Sequence, residues 1–558
     1  MIVDLATDDR RELPEYDVCV IGSGPAGGTV ASELADSGLR VCVVESGRRK
    51  NTRYADELKR VVSDGLPIKD YSRERVLGGA STTWAGLSAP LDPIDMQRRE
   101  WLRLAGWPIE REQLEPYWEA AAARFAFPTA EFFGPSGFGR FRAESEVRAR
   151  WDQLEEKVFL ALDPPQRFGK LLRSIYESER VDLYLDASVS RLAAGGDGPR
   201  VTHAELRPSD GRTLLLRAKR FVVACGGIEN ARLLLLSTDL HPAGLGNDRD
   251  QVGRCLMNHP KNYHGMLHLR APVKRAAYFF GCLFEGFAGY AGLRLTEDEQ
   301  RRRGLLNSYV RFEPMFPWSG NDGVESAVLL AKRSAGLLQA WKRRQKGPVE
   351  LRDYSETGDD SDLQNARKGL AGWAGVGWNV VRHSPSVANY TFHRLSKAAP
   401  AIRRVRLRNF MEMEPDPQNR VTLAEERDAA GNPIPRVAHR CTELDQRSLV
   451  ELHRVLADEL ERSGVGHLET TLADETEWPI TQDASHHIGT TRMGTDPSSS
   501  VVDANQRVHG VDNVYLAGAS VFPTSGCANP TFTIVALSIR LAEHLRSSLA
   551  SPREVARP

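Results

Sequence analysis

At 558 residues the chain is long enough for two or three folding units and a large buried core. Lys plus Arg and Asp plus Glu each number 74, so there is no global electrostatic case for nucleic acid or an acidic surface, and no nucleic-acid partner is expected. The seven cysteines are scattered and never form C-x-x-C, which argues against a disulfide framework or a zinc site and leaves no metal expected. Arg10-Arg11 precede the polar "ELPEYD" with no apolar stretch behind it, and no apolar run approaches 18 residues, so a soluble, cytoplasmic protein is expected.

In chain order, the first informative segment is "YDVCVIGSGPAGGTVASELADSGLRVCVVESG", Tyr16 to Gly47. An apolar strand, Val18 to Ile21, runs into Gly22-Ser23-Gly24-Pro25-Ala26-Gly27, and a helix follows over Thr29 to Ser37. Gly22 permits the tight turn, Gly24 lets backbone approach a pyrophosphate, and Gly27 lets the helix pack on the strand. The free N–H groups of the helix start favour that anion. A second strand, Val41 to Val44, ends in Glu45, whose carboxylate can bind ribose hydroxyls. The order of strand, turn, helix, strand and acid makes this a dinucleotide-binding unit. It does not choose between NAD and FAD.

Further along, "VDLYLDASVSRL" (Val181 to Leu192) reads as a strand, and "GRCLMNHPKNYHG" (Gly253 to Gly265) carries His259 and His264, for which packing roles are expected over ligand contacts. "NSYVRFEPMF" and the hairpin "NRVTLAEERDAAGNPIPRVAHR" are expected to add strands to one sheet. Between Ala331 and Asn409 there are sixteen Lys and Arg against six Asp and Glu, interleaved with Trp341, Trp373 and Trp378. Two readings stay open: a solvated helical face with its tryptophans in the core, which is the expectation, or a basic amphipathic hairpin that docks a membrane surface or a partner subunit. The acidic "ETGDDSDLQ" inside it is expected to be mobile, and the tail "SSLASPREVARP" to fray.

The far end chooses the nucleotide. "HGVDNVYLAGASVFPTSGCANPTFTIVALSIRLAEHL" supplies a strand at Val514 to Ala517, then Gly518-Ala519, then a helix after Pro530. A second return of the chain to the nucleotide suits FAD better than a plain NAD unit. Just before it, "SHHIGTTRMG" sets His486 and His487 side by side. Imidazole titrates near neutrality and can take a hydroxyl proton, although a structural polar turn is the commoner role of such a pair.

Through "GSGPAGG", "RVLGGASTTWAG" (Arg75 to Gly86), "FVVACGGIENARLLLLS" (Phe221 to Ser237) and the block from Ser485, the chain resembles the glucose–methanol–choline (GMC) flavoprotein oxidoreductases over nearly its whole length, and its sugar-oxidising, pyranose-oxidase-like members above all. The resemblance implies an α/β fold: a discontinuous Rossmann-type FAD-binding domain, and a substrate domain with an antiparallel sheet and a helical insert. The expected division is 1–90 for the first FAD-binding part and 91–265 for mixed FAD-binding and lid segments. The substrate domain is expected at 266–480, with its basic insert near 331–409, and the last FAD-binding part at 481–558. It implies His486 as catalytic base and Asn529 as its partner. It implies cofactor contacts from Gly22 to Gly27, Glu45, Gly79, the Ser81 hydroxyl, Val189, Gly518, Ala519, Pro530 and Thr531.

The implied reaction is oxidation of a CH–OH group of a sugar, glycoside or polyol, with hydride passing to flavin N5. Pyranose oxidases place a flavin-linked histidine where this chain has Thr83, so FAD is expected to be non-covalent. They place a threonine where this chain has Ala85, so a dehydrogenase using a quinone or protein acceptor is expected over an oxidase. The alternatives are a lyase or desaturase acting on a lipophilic substrate, and an electron-transfer subunit of a membrane-associated complex.

Overall fold

The computed structural model describes residues 1–331, 370–472 and 485–550, apart from single positions and short stretches, the longest 140–145. The first sheet is built on apolar runs that need cover on both faces, the signature of parallel strands. Ile2–Asp4, Val181–Leu185, Val41–Val44, Tyr16–Ile21 and Leu214–Val223 lie in that order, all parallel, with Cys19 opposite Cys42 and Val20 opposite Val43. Val514–Leu516 joins alongside Phe221–Val223, so the last part of the chain completes a sheet begun by the first. Ser188–Ala194 and Val201–Arg207 extend it antiparallel. The fold is thus α/β with a Rossmann-type sheet assembled from distant parts of the chain.

The helix after the glycine turn spans Pro25–Leu34. It starts earlier than the expected Thr29, because proline's fixed φ and missing N–H suit the first helical turn. Ala26, Val30, Ala31 and Leu34 are buried on it, and the C-terminal helix Thr531–Ala550 packs against it. The stretch expected as one strand at Val181 to Leu192 is two, because Asp186 turns the chain at φ 56° and redirects it within the sheet.

The second sheet is antiparallel. Leu154–Leu162 pairs with Phe287–Leu295 along its length, and the order continues through Tyr309–Met315, Ile402–Phe410, Met266–Val273 and Gly466–Glu469. Helix Glu443–Arg462 covers it, opened by a capping box between Thr442 and Asp445. Its buried Leu449, Leu452, Leu456 and Leu460 recur at helical spacing, each contributing about 1.5–3 kcal/mol by leaving water.

Two expectations are corrected here. The sequence "NRVTLAEERDAAGNPIPRVAHR" does form a hairpin, Arg420–Arg427 with Pro433–His439, but it pairs with Val62–Gly65 in a separate three-stranded sheet. Pro433 and Pro435, which lack N–H groups, precede the Arg436–His439 stretch that pairs with Val62–Gly65, so the strand has neighbours on both sides only beyond its prolines. In the basic region, Trp378 is 64% exposed and not in the core. Trp341, "ETGDDSDLQ" and the last eight residues lie outside the described residues. Among those that are described, no helix is long and apolar enough to cross a membrane.

Candidate active site

One cavity of about 2540 Å³ runs from the glycine turn to the histidine pair. Gly22 to Ala26 and Glu45 line its wall, while Gly27 lies behind them. Gly27 is there for packing: a Cβ on it would lie 2.0 Å from the Gly22 carbonyl oxygen. Gly22 has φ +105°, and a Cβ on it would meet the Ala224 oxygen at 2.6 Å. Gly24 differs, since a Cβ there would meet nothing within 4 Å and would project into the cavity's open space. The helix behind this turn has no acidic residue in its first turn to oppose an anion.

The Glu45 carboxylate is fixed from the protein side. It accepts hydrogen bonds from the Ser23 N–H at 3.0 Å, the Ser23 hydroxyl at 2.6 Å and the Gly47 N–H at 2.8 Å. The Ser46 hydroxyl also donates to it, at 3.4 Å, the longest of the four bonds and the one a ribose hydroxyl would displace. Gly79 packs onto Gly24, its notional Cβ 3.1 Å from the Gly24 Cα, which brings the two glycine loops together. Ser81 also lines the cavity, but its hydroxyl is taken up inside the fold. It donates to the Gly78 oxygen at 2.6 Å and accepts from the Phe168 N–H at 3.0 Å, so it shapes the loop instead of offering a free hydroxyl. Val189, Gly518, Ala519, Pro530 and Thr531 line the same space. An open cradle at a helix start, a fixed carboxylate and a long cavity together fit a dinucleotide such as FAD.

The same cavity is lined by His486 and Asn529. The Nε2 of His486 is 3.5 Å from Asn529 Nδ2, and its Nδ1 is 2.8 Å from Nδ1 of His259. Backbone pairing explains the second contact. Met257 and Ile488 exchange hydrogen bonds of 2.9 and 3.0 Å in an antiparallel bridge, so positions 259 and 486, two residues out on each side, face one another. Asn258 ties the segments further, its Oδ1 accepting from the His259 and His486 backbone N–H groups.

The hydrogen-bond network assigns the protons. His259 is buried, and burial pushes its pKa down to about 4, so its ring is neutral at physiological pH. Its Nε2 lies 3.4 Å from the Ser525 carbonyl oxygen, which can only accept, so Nε2 carries the hydrogen and Nδ1 is bare. His486 must then donate from Nδ1, which leaves its own Nε2 bare and on the Asn529 side. His487 is buried, and its backbone oxygen packs so tightly on Gly227 that a Cβ there would approach to 2.1 Å.

The Asn529 segment rests on buried charges that sequence reasoning passed over. The Arg99 guanidinium forms two hydrogen bonds with Glu412, at 2.7 and 2.5 Å, and Glu412 also accepts from the Gly526 N–H at 3.1 Å. Burial would raise the Glu412 pKa, but the Arg99 charge outweighs it and holds the carboxyl below its ordinary value. Asn230, in "GGIENAR", accepts from the Cys225 N–H and donates to the Ala517 oxygen and the Ser520 hydroxyl, pinning the start of the C-terminal block. His264, the other histidine of its segment, is apart from His486 and contacts the Thr471 hydroxyl at 3.1 Å. No sequence signal separates His259 from His264; only the bridge register does.

The nucleotide-binding half defines the class. Residues 17–249 match the model described as FAD dependent oxidoreductase. Residues 415–538 match GMC oxidoreductase, so the chain joins an FAD-dependent oxidoreductase domain to a GMC oxidoreductase C-terminal domain. Similar proteins include the fructose dehydrogenase large subunit of Gluconobacter japonicus, 23% identical over 97% of this chain and 99% of its own. Another is paromamine 6'-oxidase of Streptomyces fradiae, 26% identical over 98% and 94%. Among solved structures, pyridoxine 4-oxidase from Mesorbium loti superposes with a TM-score of 0.55 at 16% identity, covering 95% of this chain and 98% of that one, a likeness of fold.

Proposed function

We propose that this protein oxidises a CH–OH group of a sugar, glycoside or polyol to a carbonyl. The observation that carries the reading is the bare Nε2 of His486, set in the cavity wall beside Asn529 and held in that tautomer by His259. Bound FAD supplies the hydride acceptor. The chain's part is to move the proton: His486 Nε2 accepts it from the substrate hydroxyl, and the resulting imidazolium keeps its Nδ1–H donated to His259. The Asn529 amide, 3.5 Å from His486 Nε2, donates its N–H to the developing alkoxide and leaves the Nε2 lone pair to the proton. Relatives named for fructose, for paromamine and for 2-methyl-1,2-propanediol support a hydroxylated, non-aromatic substrate.

The test is anaerobic bleaching of the flavin by a panel of monosaccharides, glycosides and polyols beside choline and benzyl alcohol. Bleaching by a sugar or polyol is expected; bleaching by the others alone refutes the substrate class. We infer further that the enzyme is a dehydrogenase passing electrons to a quinone or a protein. Ala85, in the cavity wall, brings no side-chain hydrogen bond there. Reduced enzyme should therefore reoxidise faster with a benzoquinone than in air-saturated buffer, and peroxide formed in air at the rate of turnover would overturn this.

FAD is held without a covalent bond in this reading. Thr83, at the position of the flavin-linked histidine, hydrogen bonds the Tyr71 and Ala80 oxygens at 3.1 and 3.2 Å and cannot form a histidyl link. Acid precipitation is expected to release all the flavin as free FAD into the supernatant, and yellow colour retained in the pellet would refute it.

A further inference from the structure

Two helices of thirteen residues each, Leu370–Arg382 and Ser384–Ser396, form a hairpin that is amphipathic in the inverse sense. Polar groups hold it to the body of the protein. Asn321 Nδ2 donates to the Ser386 hydroxyl at 3.2 Å, and Asn379 Nδ2 reaches the Ser326 hydroxyl at 3.4 Å. Trp318 packs edge-on against Tyr390 and tilted against His393. Val376 is buried, but four larger or terminal apolar side chains point the other way. Trp378 and Val381, one turn apart, are each 64% exposed, and Phe392 and Leu395, also one turn apart, are 61% and 80% exposed. Half of the large apolar side chains exposed among the described residues lie on this hairpin.

Surface apolar residues scattered singly need no explanation, but a concentration of this kind marks a contact with something apolar. Its charge surroundings name the contact. No Asp or Glu occurs from Leu370 to Phe410, while Arg382, Arg394, Arg403 and Arg404 are exposed. Arg404 lies opposite Met315 at the strand end from which Phe316 to Trp318 lead into the hairpin's support, so these guanidinium groups share its end of the molecule. Among the described residues, the acids nearby are Asp322 and Glu325 on the supporting helix 322–331 and Glu313, which is paired with Arg406 and Arg408; they number fewer than the exposed arginines.

We propose that this hairpin seats the enzyme on the surface of an anionic phospholipid bilayer, with Trp378, Val381, Phe392 and Leu395 in the headgroup and acyl boundary and the arginines on lipid phosphates. An indole, a phenyl ring and aliphatic side chains beside arginine are the combination that binds interfaces. A thirteen-residue helix is about 20 Å long against the roughly 30 Å of a hydrocarbon core, so the hairpin lies in the interface and does not span it. The placement separates membrane attachment from the catalytic cavity, whose lining includes none of these residues.

The test is flotation of the FAD-loaded full chain with vesicles of phosphatidylcholine alone and of phosphatidylcholine with about a third phosphatidylglycerol, at low and high salt. Binding to the anionic vesicles should exceed that to the neutral ones by about tenfold and fall as salt screens the arginines. Tryptophan emission should shift to shorter wavelength on binding. The double variant Trp378→Ser, Phe392→Ser should lose vesicle binding while keeping its flavin spectrum and its turnover with a soluble dye acceptor. Arg382→Gln with Arg394→Gln should lose the preference for the anionic vesicles. A chain that stays in solution with both vesicles, or whose exposed face serves instead to join two copies, overturns the proposal. So does equal binding to both vesicles, or a double serine variant that binds like the parent.

Discussion

His486→Ala is expected to keep its flavin and fold yet slow anaerobic flavin reduction by at least about a hundredfold, the low end of what a positioned base contributes. The side chain is half-buried at the cavity wall and packs edge-on against buried His259, with ring centroids 5.0 Å apart, so a modest loss of stability should accompany the loss of rate. Its neighbour provides a control for position, because His487→Ala removes a ring from the same turn and should be milder. The two variants trading behaviour would put the base at 487.

His259→Leu should slow reduction by about tenfold through a different cause. It removes the acceptor for the His486 Nδ1–H, so His486 loses its preference for the tautomer with Nε2 bare, and the Ser525 oxygen loses a donor. His259→Gln, whose amide can both accept and donate, should recover part of the rate. A purely structural His259 would give two variants that differ in melting temperature and not in rate.

Gly27→Ala is expected to yield colourless protein. The added methyl would sit 2.0 Å from the Gly22 oxygen and 3.0 Å from a Val20 methyl, so the turn and the helix start must separate. Overpacking of this kind costs about 1–3 kcal/mol in stability and displaces the N–H groups that face a pyrophosphate. Gly24→Ala separates the two consequences, because its methyl meets no protein atom within 4 Å and occupies open cavity. That variant should fold with an unchanged melting temperature as apoprotein and still bind FAD at least about tenfold more weakly. The checks are flavin absorbance per protein, titration of apoprotein with FAD, and thermal unfolding without FAD. An intact, fully yellow Gly27→Ala protein would show that the turn tolerates a methyl and defeat the packing argument.

The roles of these glycines could be read from their spacing, because a strand, a tight turn and a helix start are local structures fixed by residues within a dozen positions of one another. The same locality made the apolar strands, the Pro433-bearing hairpin and the adjacent histidines readable. Failures were of two kinds. Some concerned partners far away in sequence: which sheet the hairpin joins, and which of His259 and His264 meets His486 across 227 positions. Others concerned which side of an element faces inward, as with Trp378, assigned to the core by its type and placed at the surface by the fold.

By itself, then, the sequence determined the nucleotide cradle and the flavin class and singled out His486 as the candidate base, since each is carried by a contiguous motif whose geometry follows from its own backbone. Tertiary structure alone decided that the Ser81 hydroxyl is spent on Gly78 and Phe168, that Arg99 and Glu412 brace the Asn529 segment, and that His259 sets the tautomer of His486. Hydrogen bonds between distant segments depend on strand register and burial, and a one-residue shift of the Met257–Ile488 bridge would face the two imidazoles apart without changing a letter of either motif.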